Sequence, residues 1–233
     1  MEAYEYSYYN DFNRFSNIDG IEAKIIEHLL SSKSKYAENF WKILAYNEMD
    51  ALSRKDLTRT EKQKLVDGYE GEPLSHLTDS VRLFLSPFVD ESWTKESSSV
   101  YIFVDDIYPI DQGRAVVSVT VETVIHSKIN VIYGDADMLA NPEGTNPNDY
   151  YYKDDVNPTV RLKSRASVLL ECLLGELNGL YIDGIGYLQF NNNKTLNGGT
   201  VNGKAKLTLF NNRSFFGHSI QFNVAMSGVS GAV

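Results

Sequence analysis

Ala115–Tyr133, AVVSVTVETVIHSKINVIY, decides the fold. Val117, Val119, Val121, Ile125, Ile129, Val131 and Tyr133 take odd positions, while Ser118, Thr120, Glu122, His126, Lys128 and Asn130 take even ones. A period of two is a strand signature, with one apolar and one wettable face, as in a half-exposed antiparallel ribbon. At ~3.3 Å per residue a single strand of this length reaches roughly 60 Å, several times the ordinary strand, which predicts a bend or a ribbon projecting beyond its own domain. Such ribbons offer edges to neighbours.

Outward from this run, VYIFVDDI supplies a preceding strand joined through a turn at Asp111–Gly113. On the other side lies a long acidic loop, residues 134–158, with Asp135, Asp137, Glu143, Asp149, Asp154 and Asp155. Its spacing lacks the glycine and bidentate glutamate of an EF-hand, so a solvated acidic loop is expected and no metal site. Thr159–Asn178 then reads as a leucine-striped helix (Leu162, Ala166, Leu169, Leu170, Leu173, Leu174, Leu177) stopped at Asn178-Gly179. GIGYLQF, AKLTLF and SIQFNVAM give three more strands, the first two separated by a loop with two Asn-Gly pairs. The first 90 residues read as helical: Ile21, Ile25, Leu29 and Leu30 form one stripe, Phe40, Trp41, Leu44 and Ala45 a second, and Thr58 with Glu61 a capping box whose helix Gly68 can end. Residues 90–99 have a linker's polar composition. The expected class is α+β: an aromatic arm over residues 1–19, a helical region over 20–90, and over 97–233 a mixed or antiparallel sheet carrying one leucine-rich helix.

The chain has 233 residues, 42% hydrophobic and 12% aromatic, ample for a core. A formal charge of −9 opposes attraction to nucleic acid or an anionic membrane. Cys172, the single cysteine, sits in the apolar helix pattern and reads as an inert buried thiol in a reducing compartment. The amino terminus lacks a signal-peptide pattern, and no apolar run approaches the ~20 residues needed to span a bilayer. Synthesis in the cytosol is the expectation.

Chemistry is hard to place. Gly198–Lys204, GGTVNGK, has P-loop glycine and lysine spacing, but Ala205 follows where Ser or Thr is needed and a strand pattern replaces the helix, so an Asn-Gly hairpin is expected. The triplets at Asn193 and Asn212 read as turn residues, and Gly228–Gly231 lacks the spacing of a nucleophile elbow. His28, His126 and His218 have no Cys or His at ligand spacing. No catalytic, metal or cofactor constellation emerges, and a non-enzymatic role is expected. The amino terminus differs in kind. Tyr4, Tyr6, Tyr8, Tyr9, Phe12 and Phe15 make a segment suited to docking, on its own helices or on a neighbour.

The carboxyl half resembles the tail terminator and neck, or head-to-tail joining, proteins of long-tailed bacteriophages. The resemblance lies in a strand ending KINVIYG, a basic helix start at Arg161–Arg165, the Leu-rich helix, then Gly184, Ile185, Gly186, Leu188 and Phe190, and finally Phe216, Gly217 and His218 opening the last strand. Trp41–Leu65 is similar to the helical part of larger neck proteins, while the acidic insertion and aromatic arm depart from the smaller members.

The resemblance implies a homo-oligomeric ring in the virion, a hexamer, capping the tail tube and meeting the head connector on the portal side. DNA passes through its lumen without specific binding. Tyr4, Tyr6, Tyr8, Tyr9, Phe12, His126, Lys128, Asn130, Phe216 and His218 are then candidates for the subunit interface, and Asp135, Asp137, Asp154 and Asp155 for a lumen that repels DNA. A stopper or dodecameric portal adaptor is one alternative. A β-rich module binding a small ligand or glycan, with Tyr150–Tyr152 as stacking surface, is another.

Overall fold

A computed structural model describes residues 20–68, 81–87, 95–111, 114–133, 162–183, 185–190, 195–196, 199–200, 204–209 and 214–227. The aromatic arm, the acidic loop with its four candidate aspartates, Tyr150–Tyr152 and Gly184 lie outside them.

The two amphipathic stripes form α1 (Ile21–Ser31) and α2 (Lys35–Ala45), and the capping box opens the short α3 (Arg59–Gln63). Ser34 caps α2, its hydroxyl accepting from the Ala37 N–H at 3.0 Å. α3 ends at Gln63, ahead of the glycine expected to stop it, and Gly68 takes φ +70° beyond a bridge from Val66 to Leu83. The fourth helix is α4 (Arg165–Leu177).

Eleven strands are described: β1 (Leu83–Phe84), β2 (Ser98–Asp111), β3 (Arg114–His126), β4 (Val131–Tyr133), β5 (Leu162–Ser164), β6 (Tyr181–Ile182), β7 (Gly186–Gln189), β8 (Thr195–Leu196), β9 (Gly199–Thr200), β10 (Lys204–Leu209) and β11 (Phe215–Ser227). The main sheet has seven of them in the order β1-β2-β3-β11-β7-β6, with β10 also on β11. β1 pairs in parallel with β2 and every other pairing is antiparallel, so the sheet is mixed, as an α+β chain predicts. β8 and β9 pair antiparallel, the hairpin expected in place of a P-loop.

One face of the sheet carries Val117, Val119, Val121 and Ile125 from β3 with Ile220, Phe222 and Val224 from β11. These join Leu169, Leu173 and Leu177 of α4, and the buried faces of α1 and α2, in one hydrophobic cluster. Helical region and sheet therefore share a core. A smaller cluster of Val81, Phe84, Tyr101, Val124 and Phe215 lies on the opposite face.

Four expectations change. The long run is not one strand: β3 stops at His126, a 3₁₀ turn spans Ser127–Ile129, and β4 pairs with β5. The His126 imidazole accepts the Lys128 N–H at Nδ1, 3.2 Å away, diverting the backbone from the ladder. The turn also flips the phase, so Ile132 is buried and Val131 exposed. Second, the face expected to be wettable is largely covered, since Ser118, Thr120, Val124 and His126 are buried. Third, Leu162 belongs to β5 and not to the helix stripe. Asn130 sets that boundary: its carbonyl accepts the Arg165 N–H at 2.6 Å and its amide oxygen accepts from Ser164 Oγ at 3.0 Å. Finally, β1 lies within the region read as helical, and β2 begins inside the expected linker, with Ser97, Ser98 and Ser99 buried.

Candidate interaction surface

The register of β2 and β3 fixes what the sheet presents at one margin. β2 pairs with β3 along its length, but among the described residues the one strand on its outer side is β1, at Val100 and Tyr101. Farther along, Glu22 of α1 accepts the Val104 N–H at 3.0 Å. A register shift, of the kind a β-bulge makes, then falls between Val104 and Asp106. Asp105, Asp106, Ile107 and Tyr108 are exposed, the last two at 48% and 46%. The Tyr108 hydroxyl donates to Asp106 Oδ2 at 2.7 Å, and that carboxylate holds the phenol above its ordinary pKa. Pro109, which has no N–H, is at home on such an edge.

At the opposite margin β10 pairs with β11 alone among the described residues. Ala205, Lys206 and Leu207 are exposed, Leu207 at 55%. Beside it the β6–β7 hairpin displays Tyr181 and Tyr187 as a cross-strand pair with ring centroids 4.9 Å apart.

The expected interface residues divide differently. His126 is buried and meets Phe215 edge-on, with centroids 5.0 Å apart. Asn130 is engaged at the start of α4. Phe216 packs against the main cluster. His218 is half-buried on the same face of β11, where burial lowers its pKa and a hydrogen bond with the Ala166 backbone opposes that shift. Lys128 is exposed and pairs with Glu96, whose carboxylate it holds below the ordinary pKa. Among the described candidates, His126, Asn130 and Phe216 make contacts within the subunit, and the margins at β2 and β10 were not among the expected interface residues. One signal was available, a proline inside the strand pattern DDIYPID.

Inside the molecule the most elaborate polar site is Arg165, which is fully buried. Its guanidinium donates to the carbonyls of Ile129, Ile43, Tyr46, Asn47 and Glu48 at 2.7–3.0 Å. Those of Ile43 and beyond lie in the last turn of α2 and just past it, where the helix leaves carbonyls unpaired and its dipole favours a cation. Burial lowers the Arg165 pKa to about 10, so it stays charged at neutral pH. This arrangement binds α2, the 3₁₀ turn and α4 together and has no free valence for a substrate. Among the described residues no group of three or more His, Cys, Asp or Glu could hold a metal, and no helix is long and apolar enough to cross a membrane.

Compared with family models, curated proteins and solved structures, the chain shows no match.

Proposed function

We propose that this chain is a structural virion protein, a ring subunit at the head-tail junction of a tailed bacteriophage. It would cap the tail tube as a tail terminator or neck protein and join it to the head connector. The observation that carries the reading is how the segments bearing the resemblance meet. α4 lies on β3 and β11, and two of the three glycines of the pattern, the described ones, sit at close backbone approaches: a Cβ on Gly186 would lie 2.9 Å from the Ala225 carbonyl oxygen, and one on Gly217 1.7 Å from that of Thr123. The guanidinium of Arg165 serves packing, and among the described residues Ile107, Tyr108, Tyr181, Tyr187 and Leu207 expose large apolar side chains at the sheet margins, where a subunit would meet its neighbours. A formal charge of −9 suits a channel through which DNA passes without adhering.

Native mass spectrometry across protein concentration and ionic strength tests the proposal. A discrete six-fold species supports the terminator reading, and a twelve-fold one the portal adaptor. A monomer at every concentration turns attention to a binding module, for which the exposed Tyr181–Tyr187 pair is the stacking surface to probe with glycans.

A further inference from the structure

Among the described residues the two margins of the main sheet are left largely unpaired and are complementary, and we infer that copies of this chain join head to tail by pairing the outer edge of β2 with β10 of the next copy. The inference deepens the ring reading and rests on it only for the closure of the assembly.

Three independent features agree. The first is polarity. β2, β3, β11 and β10 are successively antiparallel, so β10 runs antiparallel to β2. A second copy in the same orientation therefore offers β10 to β2 as the next antiparallel strand, and the sheet continues across the junction.

The second is facing. Ile107 is opposite Val117, and Ala205 and Leu207 are opposite Ile220 and His218, so all three lie on the face that carries α4. Asp106 is opposite Ser118 and Lys206 opposite Ser219, which puts both on the other face. With Asp106 opposite Lys206, an antiparallel register sets Ile107 opposite Ala205 and diagonal to Leu207, and neither strand has to flip.

The third is charge. Asp105 and Asp106 mark one edge and Lys206 the other. Charged edges discourage pairing of like with like, β2 with β2 or β10 with β10, while the unlike pair attracts. Pro109 ends the available stretch, because it offers the incoming strand no N–H. The contact is heterologous, the kind that closes into a ring when the rotation per copy permits.

Charge exchange tests the contact. Asp106→Lys and Lys206→Asp should each raise the concentration at which oligomers fall apart by about ten-fold or more, and the double exchange should recover most of that loss. Because Asp106→Lys also removes the Tyr108 hydrogen bond, a second variant pair is needed. Full-length Asp106→Cys and Lys206→Cys proteins, mixed under oxidising conditions, should give a disulfide-linked heterodimer and neither homodimer, with Cys172 buried and inert. Homodimers in equal yield, no cross-link, or a wild-type chain that stays monomeric at every concentration would overturn the contact. A closed six-fold ring insensitive to both exchanges would remove this edge pairing and leave the ring reading intact. Charge-sensitive open chains would do the reverse.

Discussion

Trp41 donates its indole N–H to the carbonyl oxygen of Leu29 at 2.8 Å, so a side chain of α2 completes the last turn of α1. Both groups are buried, and the bond ties α2 to the end of α1. Trp41→Phe keeps much of the ring volume and strands the carbonyl. It should cost about 2–3 kcal/mol, read as a lower urea midpoint with an unchanged slope.

Arg165 makes a stronger case. Arg165→Met removes five hydrogen bonds and leaves buried carbonyls unpaired, with an expected loss of about 3–5 kcal/mol by equilibrium denaturation. Arg165→Lys should recover only a fraction, since an ammonium has three donors and lacks the planar fork that spans the end of α2. Full recovery by lysine would mean that charge alone holds the site.

At Gly217 the backbone of β11 closely approaches that of β3. The Thr123 hydroxyl accepts the His218 N–H at 2.7 Å, and a Cβ on Gly217 would collide with the Thr123 main chain. Gly217→Ala must part β3 from β11 and should cost at least about 2 kcal/mol. Hydrogen exchange would show the loss in both strands, whereas Thr123→Val should weaken only the local contact.

Cys172 supplies a pH signature. Burial first, then the nearby Glu171 and Glu176, raises its thiol pKa from 9.0 to about 12. The unfolded chain releases this proton near pH 9 and the folded chain keeps it, so its contribution to stability is intact below pH 9 and is lost as pH rises towards 12. Burial raises the Tyr101 phenol in the same direction. Urea midpoints measured from about pH 8 to 10 should fall more steeply for wild type than for Cys172→Ala. At neutral pH the thiol should react with a maleimide only after unfolding.

The capping box offers a smaller, local test. Thr58 and Glu61 exchange the reciprocal bonds that open α3. Thr58→Ala should cost about 1 kcal/mol and leave the rest of the fold unchanged by circular dichroism.

Much of this architecture is legible in the chain. The two-residue period named β2, β3, β10 and β11, the 3.6-residue stripes named α1, α2 and α4, and Thr58 with Glu61 marked a helix start. Each is a local rule expressed over a few neighbouring residues. What escaped depends on partners far away in sequence. Nothing near Arg165 announces that its guanidinium ends on carbonyls at 43–48, and nothing around Leu83 shows that two residues will pair with Val100 and Tyr101. The length of the run called for a bend or a projecting ribbon, but the place of the bend at Ser127 escaped for another reason, because Ile129, Val131 and Tyr133 keep the alternation while an imidazole redirects the backbone. The sheet margins carry no concentrated chemistry, only a few apolar side chains and scattered charges whose exposure depends on which strands end up outermost.

Arg165 also orders events in time. Its acceptors at Ile43 to Glu48 leave the ribosome 117–122 residues before it does, so α2 emerges with an end it cannot complete. The helical region must wait for more than half of the chain before it can lock. Nascent chains released short of Arg165 should therefore be digested by protease within α1 and α2, and chains extended past α4 should resist.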